Sequence, residues 1–172
     1  MHIDLDELIT LRAPDDLSGC SLGDLRSIRD HYHEIENGLS YARRIVQGRL
    51  DTVALEAQRR RDGSDGGLIE KLPDALAAHS RGPGLPRPMP DLEPPVWADE
   101  LLRGADEMLS PTQLAGLDEL SDSELEQATA TLGDVEQELS AARHEVHRSI
   151  DRVQDELVGR YRSGATVDDL LR

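Results

Sequence analysis

The feature that most constrains this chain is a seven-residue apolar repeat that occurs twice. Leu25, Tyr32, Leu39, Val46 and Val53 recur every seven residues, with Ile28, Ile35 and Ala42 between them. A hundred residues on, Leu125, Leu132, Leu139, Val146 and Val153 do the same, interleaved with Ala128, Val135 and Ala142. This is the period of an a/d seam, in which a helix buries a narrow apolar strip against a partner helix. The expected architecture is therefore all-α: an antiparallel coiled-coil helical hairpin with short accessory helices and a Pro-rich linker. Composition agrees with a thin seam rather than a thick core. Phe is absent, one Trp and three Tyr are the only aromatics, and hydrophobic residues make up 37%.

The rest of the chain divides around these segments. Residues 1–20 form an acidic N-terminal arm (Ile3, Asp4, Leu5, Asp6, Glu7, Leu8, Ile9, Leu11) that is either a partner-binding arm or a frayed terminus. Residues 21–61 form the first coiled-coil helix, stopped by Gly63-Ser64-Asp65-Gly66-Gly67. Residues 62–120 connect the two helices. Leu68–His79 reads as a short amphipathic helix, 82–95 as a Pro-rich linker that no regular helix can contain, and Trp97–Leu109 as helix-compatible. Ser110-Pro111 reads as an N-cap followed by a first-turn proline. The second helix spans 121–162, starting near Ser121 or Ser123, where Ser123 and Glu126 have capping-box spacing. Residues 163–172 are a tail.

The two helices are one segment written twice. Shared seam residues carry little information, because any two coiled-coil helices share Leu and Val. The polar matches say more: Glu36 aligns with Glu136, Ser40 with Ser140, Arg43 with Arg143 and Asp51 with Asp151, in one register. Off this set, exposed positions have mostly diverged (Gly38 against Glu138, Arg44 against His144, Gly48 against Arg148). At about 100° per residue, Glu36, Ser40, Arg43, Gln47 and Asp51 fall within about 80° of each other, a stripe roughly 22 Å long. The stripe lies beside the seam, about 100° around the same helix. Glu136, Ser140, Arg143, His147 and Asp151 draw it again. In an antiparallel pair the two copies are related by a pseudo-two-fold axis, which suits a two-fold symmetric ligand.

These side chains have a shared chemical sense. Carboxylates accept from the ring N–H and exocyclic amine of guanine, and Arg bridges guanine O6/N7 or a phosphate. Ser and Gln are neutral partners for phosphate oxygens. The neighbourhood is locally basic, with Arg43, Arg44 and Arg49 on one helix and Arg143, Arg148 and Arg152 on the other. For a single copy a solvated coiled-coil face is the plainer reading of the stripe, and it is the agreement of the two copies at the stripe, against divergence off it, that favours a functional one.

The spacing E-x3-S-x2-R-x3-Q-x3-D resembles the signature of the RsiG family, actinobacterial anti-sigma factors that bind cyclic di-GMP. Glu36, Ser40, Arg43, Gln47 and Asp51 match it completely; the second copy matches at Glu136, Ser140, Arg143 and Asp151, with His147 in the Gln position. The resemblance implies a hairpin that holds a dimer of cyclic di-GMP and, when loaded, captures a sporulation sigma factor of the WhiG or flagellar type. With two motif copies it also implies a monomer in a one-to-one complex with sigma, in the cytoplasm. His147 can hydrogen-bond a phosphate or base in place of Gln.

Other classes fit less well. A formal charge of -16, from 35 acidic and 19 basic side chains, opposes direct binding to nucleic acid and suits a basic protein partner, although solubility explains it equally. No stretch has the roughly 20 apolar residues of a membrane span. The single cysteine, Cys20, excludes an intrachain disulfide and has no cation cluster beside it. His144, His147 and Asp151 lack the further strong ligand that a metal site needs. No strand-turn-helix elbow or Gly-rich phosphate loop frames the Ser, His and Asp residues, so no enzyme is expected. Arg59-Arg60-Arg61 reads as a complement to a helix dipole. The alternative function is a ligand-independent coiled-coil adaptor or a homodimeric scaffold.

Overall fold

The computed structural model describes residues 16–63 and 94–163. The N-terminal arm before residue 16, the expected helix at Leu68–His79, the linker from 82 to 93 and the tail after 163 lie outside the described residues. Among the described residues all regular structure is helical: α1 (Leu22–Arg61), α2 (Ala98–Leu101), α3 (Arg103–Met108), α4 (Pro111–Ala115), a 3-10 turn (Leu117–Glu119) and α5 (Asp122–Arg162). Helices α1 and α5 pack against each other as an all-α hairpin, as the twin heptads require.

Local chemistry sets the helix ends. The Ser21 hydroxyl accepts from the Asp24 N–H at 3.1 Å, and the Asp24 carboxylate accepts from the Ser21 N–H at 3.0 Å, which starts α1. At its other end Gly63 takes φ +60°, the left-handed cap that glycine adopts without strain. The box that opens α5 is Ser121 with Glu124, at 3.3 and 2.7 Å, and not Ser123 with Glu126. Two serines at this spacing compete, and the seam residue Leu125 favours the earlier start because its N–H already bonds the Ser121 carbonyl at 3.0 Å. Ser110 and Pro111 begin α4 as expected, with Gln113 completing a capping box.

The described residues fall into two compact units. The first comprises 16–43, 94–102 and 137–163. Here Leu25, Tyr32, Ile35, Leu39 and Ala42 are buried, as are Leu139, Ala142, Val146, Ile150, Val153 and Leu157. In this unit α1 and α5 run antiparallel: Arg143 reaches Glu36 and Ser40, while Arg26 reaches Tyr161. Arg160 binds the carbonyls of Leu17, Ser18 and Cys20, tying the segment before α1 to α5. Trp97 lies on α1 at Gly38. Ile28 is only half-buried, and at the end of α5 the buried positions shift by one residue to Ile150 and Leu157. That drift is what a straight helix of 3.6 residues per turn does to a strict seven-residue repeat.

The second unit comprises 44–63 and 103–136. Val46 and Val53 from α1 and Leu125, Ala128 and Leu132 from α5 are buried, together with Ala105, Leu109 and Leu117 from the connecting segment. Val135, expected in the seam, is half-buried. The second seam series, Ile28, Ile35 and Ala42, continues in sequence to Arg49 and Glu56, and both of these charged residues are buried. A buried charge is costly unless paired, and each is. Arg49 binds the Asp106 carboxylate and the Leu109 carbonyl, the latter at 3.4 Å. The Glu56 carboxylate takes Arg59 Nε at 2.7 Å and Arg60 Nε at 2.7 Å. Arg60 also reaches the Leu117 carbonyl and the Asp122 carboxylate, both at 2.8 Å. The Arg59–Arg61 run therefore does more than complement a dipole. Two of its members hold a buried acid, and Arg60 clamps the start of α5.

Candidate functional site

The stripe residues take the intermediate exposure expected of a line beside a seam. On α1, Glu36, Ser40, Arg43 and Gln47 are half-buried and Asp51 is exposed. On α5, Glu136, Ser140, Arg143 and His147 are half-buried and Asp151 is exposed. Glu36, Ser40, Arg43, Ser140, Arg143, His147 and Asp151 belong to the first unit; Gln47, Asp51 and Glu136 belong to the second.

In the first unit the two motif copies meet. Arg143 Nε donates to Glu36 Oε1 at 2.9 Å and to Ser40 Oγ at 2.8 Å. The Ser40 hydroxyl in turn donates to Glu36 Oε1 at 2.6 Å. His147 Nε2 stands 3.5 Å from the same carboxylate oxygen. Partial burial on its own would raise the Glu36 pKa. The Ser40 hydroxyl and the Arg143 guanidinium outweigh it and hold the carboxyl below its ordinary value. Glu36 is thus an ionised acceptor at neutral pH, with an arginine aligned across from it by the opposite helix. That set can exchange its internal partners for a ligand's amine, N–H or phosphate groups at low reorganisation cost, since it is already charged and half-hydrated.

The connecting segment takes the other side of α1. Gly38, Arg49 and Glu56 lie roughly 160–200° around the helix from the stripe. In the first unit Trp97 covers Gly38, which is buried and not exposed as the comparison of the two copies took it, and in the second unit α3 and its C-terminal end cover Arg49. In the second unit a groove of about 560 Å³ opens between Ala54, Ala57, Leu125, Thr129 and Ala130, with Arg60 and Arg61 at its edge. None of the ten stripe residues lines it.

Reading the seam only as far as Ala42 overlooks Arg49 and Glu56. Counting the same seven-residue step onward from Ala42 lands on both, so the signal was present as charges in seam register. The contact of Trp97 with Gly38 has no such signal, because it joins residues far apart in sequence. Among the described residues no cluster of three or more His, Cys, Asp or Glu can hold a metal ion. Among them, too, no helix is long and apolar enough to cross a membrane.

Fold and stripe together define a class: a helical hairpin that displays one polar motif twice beside its seam. Residues 3–76, which contain α1 and the first motif copy, match the RsiG-like family model. That family is one of regulatory anti-sigma factors rather than enzymes. No curated protein matches the chain.

Proposed function

We propose that this protein is a cyclic di-GMP-responsive anti-sigma factor. In this reading Glu36, Ser40, Arg43, Gln47 and Asp51 on α1, with Glu136, Ser140, Arg143, His147 and Asp151 on α5, bind a dimer of the nucleotide. The loaded hairpin then sequesters a sigma factor of the WhiG or flagellar type, so that sporulation genes stay silent. One observation carries the reading: the duplicated motif keeps its polar residues in register, and the fold joins Glu36 and Ser40 of one copy to Arg143 and His147 of the other. Duplication alone preserves a fold through its seam and has no need to preserve a half-exposed Glu, Ser and Arg. The nucleotide is chemically complementary to these groups. Its guanines offer donors to the carboxylates and acceptors to the arginines, and its phosphates offset their charge. Ligand and sigma binding are then coupled reciprocally, each raising affinity for the other.

Calorimetric titration with cyclic di-GMP tests this, with Arg43→Ala/Arg143→Ala as the comparison. The expected result is saturable binding of one nucleotide dimer per chain, lost in the double variant at unchanged helicity. Capture of a WhiG-type sigma factor then requires the nucleotide. A folded wild-type protein that binds sigma equally well without nucleotide, and in the double variant, would instead be a ligand-independent adaptor.

A further inference from the structure

In the first unit, one carboxylate oxygen collects three neighbours. The Ser40 hydroxyl, Arg143 Nε and His147 Nε2 lie 2.6, 2.9 and 3.5 Å from Glu36 Oε1. The Ser40 oxygen also accepts from Arg143 Nε, at 2.8 Å. Glu36 and Ser40 are one turn apart on α1, and Arg143 reaches both from α5. The arginine of one motif copy is thus gripped by the glutamate and the serine of the other.

The place of the grip matters. A guanidinium carries five N–H donors, one on Nε and four on the terminal nitrogens Nη1 and Nη2. Both hydrogen bonds that the Arg143 side chain makes among the described residues use Nε. Among those residues Nη1 and Nη2 have no acceptor, and the side chain is 31% exposed. An acceptor with two oxygens can meet a guanidinium along its Nε edge or across the terminal pair. Here the Nε edge is taken, and the terminal pair stays open. Glu36 suits the grip because it is ionised at neutral pH: burial alone would raise its pKa, but Ser40 and Arg143 hold it below the ordinary value.

We infer that Glu36 and Ser40 are positioning residues, which hold Arg143 by its Nε and aim Nη1 and Nη2 at an anionic group of the ligand. The grip stays closed when the ligand arrives. The inference rests on the cyclic dinucleotide reading and deepens it, because two stripe residues then act through a third. An arginine held in this way has already given up the rotamer freedom that a loose one surrenders on binding. Aspartate at position 36 would keep the charge but, one methylene shorter, would draw the carboxylate back from Arg143.

The test is calorimetric titration of the full chain with cyclic di-GMP in wild type, Glu36→Asp, Ser40→Ala, Arg143→Ala and the two doubles that include Arg143→Ala, with helicity followed in each. Glu36→Asp and Ser40→Ala should each weaken binding roughly 2- to 10-fold, the scale of ordering one long side chain. Neither should weaken it further once Arg143 is alanine. Equal losses with and without Arg143, or no loss in either single variant, overturn the inference and leave the proposed function standing. A second readout holds even where Arg143→Ala abolishes binding: the Arg143 Nε–H signal in 15N-resolved NMR spectra, assigned by its absence from Arg143→Lys. It should be protected from exchange with water both before and after saturation with cyclic di-GMP, and should lose that protection in Glu36→Asp. Loss of protection when the nucleotide is added to wild type shows the grip opening and overturns the inference. A folded wild-type protein that binds no cyclic di-GMP overturns the proposed function and this inference together.

Discussion

Trp97 and Gly38 meet so closely that a Cβ on residue 38 would stand 2.3 Å from the indole Cη2. Glycine in a helix interior costs about 0.5–1 kcal/mol relative to alanine, so α1 gives up propensity at this point to seat the connecting segment. At Gly48, ten residues along the same helix, a Cβ would meet nothing within 4 Å. The same substitution should act in opposite directions at the two sites. Gly48→Ala should stabilise by about 0.5–1 kcal/mol. Gly38→Ala should expel the indole and destabilise by about 1–3 kcal/mol, as overpacking does. Trp97 is the only tryptophan, so its emission reports the expulsion directly as a red shift, which Gly48→Ala should lack.

Glu56 is 1% exposed, and hydrogen bonds from Arg59 and Arg60 bring its pKa down to about 2 from the ordinary 4.5. A carboxyl whose folded pKa is depressed adds stability that is complete above its unfolded value and is lost as pH falls through the folded one. Acid unfolding followed by helicity should therefore carry a Glu56 component between about pH 5 and pH 2. Glu56→Gln should remove that component. At neutral pH it should cost about 1.5–3 kcal/mol, because the charge-assisted hydrogen bonds are weakened and Arg59 loses its counter-charge while Arg60 keeps only Asp122. A variant as stable as wild type in denaturant would show the clamp to be decorative.

Glu36 and Arg143 should be coupled, because Arg143 is the opposite-helix partner that holds the Glu36 carboxyl low. Both side chains are partly open to solvent, at 22% and 31%. A double-mutant cycle with Glu36→Gln and Arg143→Ala should thus return only about 0.5–1 kcal/mol of coupling in unfolding experiments. The hairpin should survive both changes. A coupling energy of zero would show that the contact is not held in solution.

The start of α5 gives a simple test of register. Ser121→Ala removes the hydroxyl that accepts from the Glu124 N–H and should cost about 1 kcal/mol, a fall of about 2–4 °C in Tm for a chain of this size. Ser123→Ala, one turn position into the helix, should leave Tm nearly unchanged. Reversed effects would place the helix start two residues later.

Much of this was legible from residue order. Leu39, Val46, Leu139 and Val146 announce a seam because a seven-residue period has one physical use, burial along one side of a helix. The stripe was legible for a related reason: side chains three and four residues apart share a face, so Glu36, Ser40 and Arg43 form a line whatever the rest of the chain does. The start of α5 was less so, since Ser121 and Ser123 both offer a hydroxyl with an acid three residues on. Helix packing, not cap chemistry, decides between them.

By itself the sequence determined the helices, their buried side and the doubled polar line, because each follows from distances of a few residues along one backbone. The tertiary structure alone decided which polar groups meet. It set Arg143 against Glu36 and Ser40, placed Asp106 over Arg49, joined Arg60 to Asp122 and laid Trp97 on Gly38. These pairs span some 57 to 107 positions of sequence, and the partner of a charge is chosen by what packing brings near it and keeps from water. Periodicity names the face that must be covered, and only the fold names what covers it.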